Sequence, residues 1–312
     1  MDYDSIQMRD DFMKVVLNNS EYIFLIGYQK EERYRASFNN LVEMEKTFNI
    51  SFEGWYSAGY WNEKYIPYTL FDGEKAIANV SVNIMDFNTF GEQKRYIQIG
   101  TVLTDEDYRN RNLCKFLMEH VLNEWNDICD FIYLFANNSV LEMYPKFGFR
   151  PVKEYAYLKS IEKNIGHQNF EKLNMDIQSN RDLLYKYAKT SMKYGNFAMN
   201  ENADLIMFYC TSFKKENVYH IKSLDVIAIA VFNNNQLHLL DVVGTTDVEL
   251  DKIIYSLSNS EIDEVLLGFT PKDCNSYEVK EISGDDETLF VQKNKTALFD
   301  SNKIMFPLLS HA

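Results

Sequence analysis

Apolar residues along the chain fall into two spacings that alternate. Over residues 33–48, Phe38, Leu41, Val42, Met44 and Phe48 recur at helical intervals. The triplet Thr69, Leu70 and Phe71, the turn pair Asp72 and Gly73, and the run at residues 76–85 predict a β-hairpin. A β-branched and aromatic run at residues 95–103 extends it to a meander of three antiparallel strands. Helical spacing returns in Leu113, Phe116, Leu117, Val121, Leu122 and Trp125, followed by a short apolar run at 131–135 that predicts a buried strand. A strand-like segment at 150–160 closes this half.

The polar segment at residues 161–172 predicts a linker, after which the themes recur. Leu183, Leu184, Tyr187 and Met192 are the apolar members of a helix, and residues 219–232, the turn Asn-Asn-Asn-Gln and residues 237–243 form a second hairpin signal. Residues 244–258 occupy the place of a loop and its helix, and residues 264–270 parallel the earlier closing strand. The repetition is one of pattern, not of identity. At 312 residues the chain is long enough for two domains. The expected fold class is α/β (α+β), each half a mixed, mostly antiparallel sheet flanked by helices, with domains at 1–162 and 168–312.

Between the strand at 95–103 and the following helix lies the sequence Tyr-Arg-Asn-Arg-Asn-Leu-Cys, residues 108–114. A tight loop feeding a helix N-terminus presents unpaired N–H groups and the positive end of the dipole, a setting suited to a pyrophosphate. Arg109 and Arg111 add positive charge. The stretch resembles the acyl-CoA motif of the GCN5-related N-acetyltransferases (GNAT), which reads Gln or Arg, two variable residues, Gly, one variable residue, then Gly or Ala. Arg109 matches, while Asn112 and Cys114 stand where the small residues belong. Asn tolerates a left-handed backbone best among non-glycine residues, and Cys is only slightly larger than Ala. Residues 131–152 resemble a second element of that family, a strand, then Asn137 and Asn138, a short helix bearing Tyr144, and the pair Gly148 and Phe149.

The resemblance implies acetyl-CoA as co-substrate and direct attack of an amine on its thioester. It implies that strand N–H groups at Val102, Leu103 and Thr104 hold the pantetheine arm, and that Arg109, Asn110, Arg111, Asn112, Leu113 and Cys114 hold the phosphates, with Asn137 and Asn138 nearby. Tyr144 becomes the acid that returns a proton to the departing thiolate. The family's glutamate on the strand before the loop is missing, since Gln98 is the polar side chain at its centre. Glu53 and a water chain are candidate bases. A third is Ala312, because residues 303–312 are largely apolar where a frayed end is usually polar, and tandem acetyltransferases of the enhanced-intracellular-survival type use a C-terminal carboxylate. A tucked edge strand is the alternative for this segment. The aromatic stretch holding Trp55, Tyr56, Tyr60, Trp61 and Tyr65 beside Glu53 suggests an acceptor site for a cationic amine; the same rings are equally suited to packing the two halves together.

A net charge of −14 argues against a nucleic-acid partner. The four cysteines have neither metal-type spacing nor the density of a disulfide framework, and the histidines show no ligand-like clustering, so no metal is expected. The acidic first residues do not resemble a secretory signal, and no run approaches a membrane span, so a cytoplasmic location is expected. The expected function is an acetyl-CoA-dependent N-acetyltransferase of bacterial tandem type acting on a small-molecule or peptide amine. The alternatives are a non-catalytic scaffold or sensor that keeps the fold, and an aminoacyl-tRNA-dependent transferase, which the phosphate loop and acidic balance oppose.

Overall fold

The computed structural model describes residues 13–44, 49–163, 169–283 and 287–312. Phe48, His167, the acidic first residues and part of the expected linker lie outside the described residues. The chain begins with β1 (Met13–Leu17) and β2 (Ser20–Ile26), joined by Asn18 and Asn19 at φ 51° and 63°. Two successive left-handed residues are what a tight hairpin turn requires, and Asn is the residue type that supplies them without glycine. Helix α1 (Glu32–Glu43) stops short of the expected 33–48 because Met44 turns extended, and the short α2 (Glu53–Ser57) follows.

Strands β3 (Tyr65–Asp72), β4 (Lys75–Thr89) and β5 (Glu92–Thr104) form the expected antiparallel meander. Helix α3 (Leu113–Trp125) then crosses over so that β6 (Phe131–Asn137) lies parallel to β5, and β7 (Phe149–Pro151) follows. A parallel neighbour needs such a crossover. Leu117, Val121 and Trp125 of α3 pack on Ile77, Ile97 and Ile132 of the sheet.

The remaining elements are β8 (Tyr155–Ser160), β9 (Glu171–Lys172), α4 (Gln178–Lys189), β10 (Gly195–Met199), α5 (Ala203–Thr211), β11 (Val218–Ile221), β12 (Val226–Asn233), β13 (Gln236–Gly244), α6 (Leu250–Leu257), β14 (Glu264–Leu267), β15 (Thr270–Pro271), β16 (Glu278–Glu281), β17 (Glu287–Gln292) and α7 (Ala297–Ser301). The apolar run at 219–232 is split by a turn at Asp225, φ 54°, into β11 and β12. β14 runs parallel to β13 with α6 between them in sequence, as β6 does to β5.

The architecture is mixed α/β with two mostly antiparallel sheets. The first runs β1-β2-β3-β4-β5-β6-β17-β7 and the second β16-β8-β14-β13-β12-β11-β9. Each half therefore lends strands to the other: β17 sits between β6 and β7, β10 pairs with β4 and with β15, and β8 sits between β14 and β16. The sheets do not divide at residues 162–168, where the domain boundary was expected. β7 has only three residues, too few to cover the free edge of β6, whereas β17 pairs with it from Glu287 opposite Asn137 to Val291 opposite Tyr133. One apolar core also spans both halves, joining Phe52, Trp55 and Trp61 to Ile206, Met207 and Ile227.

A chain ending near residue 165 would expose the edge of β6 and the apolar residues that β17 covers. It is expected to be aggregation-prone and to lack a cooperative unfolding transition in urea, whereas the full chain shows one.

Candidate active site

The site starts from a defect in β5. Register between β4 and β5 passes from Ser81 opposite Gly100 to Asn79 opposite Leu103, so Thr101 and Val102 together face Val80. This is a β-bulge. It places Thr101 at φ 48°, a conformation that a β-branched residue adopts only under constraint. The constraint is a chain of buried polar groups. Asn79 Nδ2 donates to the Thr101 carbonyl at 2.8 Å, Tyr65 Oη lies 2.9 Å from Thr101 Oγ1 and accepts from Ser81 Oγ at 2.9 Å, and Thr69 Oγ1 donates to Asn79 Oδ1 at 2.6 Å.

β6 pairs with β5 only from Tyr96 to Ile99. Beyond that point the strands part, and a cleft of about 1180 Å³ opens between them. Val102, Leu103 and Thr104 line it from β5, and Asn137 lines it from β6. Asn138 stands exposed in the following turn, outside the lining, because the strand has ended and the chain has turned away.

At the far end of β5 the loop of residues 109–112 enters α3. Asn110 and Asn112 have φ of 62° and 60°, so asparagine holds the left-handed positions at which glycine would be expected. Asn112 is the N-cap residue, and its side chain makes no capping bond. The first N–H groups of α3 have no partner within the helix. Arg109, Arg111 and Lys115 stand around them on the cleft wall. Arg111 lies over the Tyr108 ring at 4.8 Å and donates to the Asp107 carbonyl at 2.8 Å. These donors fit a pyrophosphate in kind and in charge. Leu113 anchors the helix in the core, and burial pushes the Cys114 thiol up to about 11, so it stays protonated and inert at neutral pH.

Tyr144 lies beside this loop in a short 3₁₀ turn, 4% exposed, with its ring against Phe149 and Phe290. Burial, and secondarily Cys114, hold its phenol well above the ordinary value, so it is a proton donor in the resting protein. Phe290 belongs to β17, so the exchanged strand buttresses this tyrosine.

The final residues of the sequence occupy the middle of the same cleft. Gln98 receives the Ala312 N–H on Oε1 at 3.0 Å and donates from Nε2 to the Ala312 oxygen at 2.7 Å. Its Oε1 also accepts from Tyr133 Oη at 3.2 Å. Tyr209 Oη donates to the His311 carbonyl at 2.7 Å, and Asn202 Nδ2 donates to the Leu309 carbonyl at 2.9 Å. The His311 ring stacks on Phe135 at 3.8 Å, and burial holds its imidazole down to about 3, hence neutral. The tail is thus a tucked segment, not an edge strand.

Of the expected acceptor residues, Trp55 and Tyr65 line the cleft. Glu53 is engaged by Arg35 at 2.9 Å and by Asn39 at 3.1 Å; Tyr56 lies under the Arg35 guanidinium at 3.7 Å; Trp61 is buried and donates to the Tyr65 carbonyl at 3.0 Å. Their chemistry is spent on packing α1 and α2. Trp55 itself donates to the Asp204 carbonyl of α5 at 2.8 Å and meets Phe208 at 5.4 Å. The rings do join the two halves. Phe208, Tyr209 and Phe213 from the second half complete the wall, and nothing in their local sequence marks them, since α5 reads as an ordinary apolar helix. Among the described residues no cluster of metal-binding side chains occurs.

Comparison with known proteins bears on the fold. Residues 6–152 match the model of the acetyltransferase (GNAT) domain. This similarity to the GNAT acetyltransferase domain covers the first half of the chain. No curated protein matches the sequence. Two solved structures share the fold. A conserved protein of unknown function from Enterococcus faecalis V583, described as a probable N-acyltransferase, superposes with a TM-score of 0.53 at 12% identity, over 88% of this chain and 74% of that one. Eis1 from Mycobacterium abscessus gives 0.52 at 12% identity, over 89% and 75%.

A methyl group at position 100 would lie 2.6 Å from the Ala312 oxygen and 3.3 Å from its carbon. Gly100→Ala is therefore expected to expel the tail while leaving both sheets intact. Hydrogen exchange at the Ala312 amide should accelerate by about tenfold or more, some 1.4 kcal/mol of local stability, without change in the exchange of β4 and β6.

Proposed function

We propose that the protein is an acetyl-CoA-dependent N-acetyltransferase acting on a primary amine. The observation that carries this reading is the coincidence, in one cleft, of an anion-binding helix N-terminus, a splayed strand edge and a buried tyrosine. In this reading the loop of Arg109, Asn110, Arg111, Asn112, Leu113 and Cys114 binds the pyrophosphate. Val102, Leu103 and Thr104 offer main-chain groups to the pantetheine arm and an N–H to the charge that develops on the thioester oxygen. One preorganised donor of this kind is typically worth about 2.7–4 kcal/mol. Ala312, through its carboxylate, takes the proton of the attacking ammonium, and Gln98 holds it in place. Tyr144, held protonated by burial, supplies a proton to the thiolate as the C–S bond breaks.

We also read the second half as a degenerate copy of the first that has lost its own loop. What supports this is the repeat of β5-α3-β6 as β13-α6-β14, each with a parallel closing strand. Its surviving task is to build the tail and one wall of the site.

Calorimetric titration with acetyl-CoA should give micromolar binding. Asn112→Gly should preserve it, and Asn112→Val should weaken it by about 1–2 kcal/mol, since a β-branched residue resists the left-handed backbone. Tyr144→Phe, and removal of residues 310–312, should each lower turnover by about 10²-fold or more with acetyl-CoA affinity retained. Unchanged turnover in either variant removes that residue from the mechanism, and failure of well-folded protein to bind acetyl-CoA removes the whole reading.

A further inference from the structure

The cleft is polarised along β5. At one end, beyond Thr104, stand Arg109, Arg111 and Lys115. At the other, Tyr65 is level with Asn83 and Gln98 in the sheet register, six residues (98 to 104) or roughly 20 Å lower along the strand. There the wall is aromatic and comes from both halves. Phe52 stacks on Phe208 at 5.5 Å and an interplanar angle of 8°, Trp55 meets Phe208 at 5.4 Å, and Phe213 continues the surface 5.8 Å from Phe208. No lysine or arginine lines this end among the described residues, His311 is neutral, and the carboxylate that the proposed mechanism brings here is that of Ala312.

A hydrophilic polyamine or aminosugar would have to leave most of its hydroxyls and amines facing rings that cannot hydrogen-bond them, at a cost for each buried polar group. An ammonium on a flat apolar body meets no such penalty. Its ring lies on aromatic faces, its charge is complemented by the Ala312 carboxylate and by the rings themselves, and no cation lines this end to repel it. We propose that the acceptor is a primary aralkylamine, seated on Phe52, Trp55, Phe208 and Phe213 with its nitrogen directed toward Ala312. This inference rests on the acyl-transfer reading and specifies its second substrate.

The nitrogen meets Ala312 between the two ends of the cleft, so the transfer balances there. The amine lone pair forms the new C–N bond to the acetyl carbon, the C–S bond breaks with its electron pair on sulfur, and the ammonium proton passes to the carboxylate.

The test uses the full chain, with CoA release measured for 2-phenylethylamine and 4-phenylbutylamine against 1,4-diaminobutane and glucosamine. Burial of a phenyl group predicts kcat/KM about 100-fold higher for the aralkylamines. Binding without chemistry is followed by quenching of tryptophan fluorescence as each amine is added. Phe213 is 52% exposed, so Phe213→Ser should not disturb folding; it should raise KM for the aralkylamines about tenfold and leave acetyl-CoA affinity unmoved. Preference for diaminobutane or glucosamine, equal rates across the panel, or binding of acetyl-CoA with no aralkylamine binding would each overturn the inference. Aralkylamine binding in a protein that binds no acetyl-CoA would instead sustain the aromatic amine site and overturn the acetyl-CoA reading.

Discussion

Everything in the cleft depends on where β5 stops pairing with β6. Two parallel strands with continuous hydrogen bonding leave no room between them, and here pairing ends at Ile99 because the chain is forced into a bulge at Thr101. The bulge is itself unfavourable, a left-handed threonine in the middle of a sheet. It persists because Tyr28, Thr69, Asn79, Ser81 and Tyr65 form a buried relay ending on both the hydroxyl and the carbonyl of Thr101. Buried polar groups are costly when unpaired, so relaxing the bulge would orphan several at once. That is how a local distortion is held by groups on β3, β4 and the turn after β2.

The second determinant is that the site is assembled from distant parts of the sequence. Gln98 holds a residue 214 positions away, and Tyr144 packs on a phenylalanine of β17. The reciprocal exchange of β8 and β17 fixes the two halves in one relative orientation, so that α5 and the tail meet α2 at a defined place. An ordinary interface between domains would allow relative movement; shared strands and a shared aromatic core oppose it.

These facts explain which features the sequence made legible. The meander, α3 and the loop of residues 108–114 follow from contiguous patterns, and the left-handed Asn112 follows from the tolerance of asparagine. Tyr144 and Ala312 were reachable only through resemblance to a known family, since a lone tyrosine and an apolar tail carry little chemistry of their own. The exchange of strands was hidden because β8 and β17 read as ordinary strands whichever sheet they join. The cleft wall differs from the expected acceptor residues for a related reason. Glu53, Tyr56 and Trp61 have suitable chemistry, but Arg35, Asn39 and the Tyr65 carbonyl already engage them, and only three-dimensional proximity brings Phe208 and Phe213 to the wall.

The exchanged strand also sets a timetable for synthesis. Since β17 spans Glu287–Gln292, the chain must be made well past β6, which ends at Asn137, before the first sheet can close, although the loop of residues 109–112 emerges much earlier. Until then β6 presents an open, apolar edge, and its closure waits on a contact of very long sequence separation, the kind that slows folding and exposes intermediates to aggregation. The cleft therefore forms only after β17 has been made, and a chaperone that shields β6 during that interval would raise the yield of folded protein.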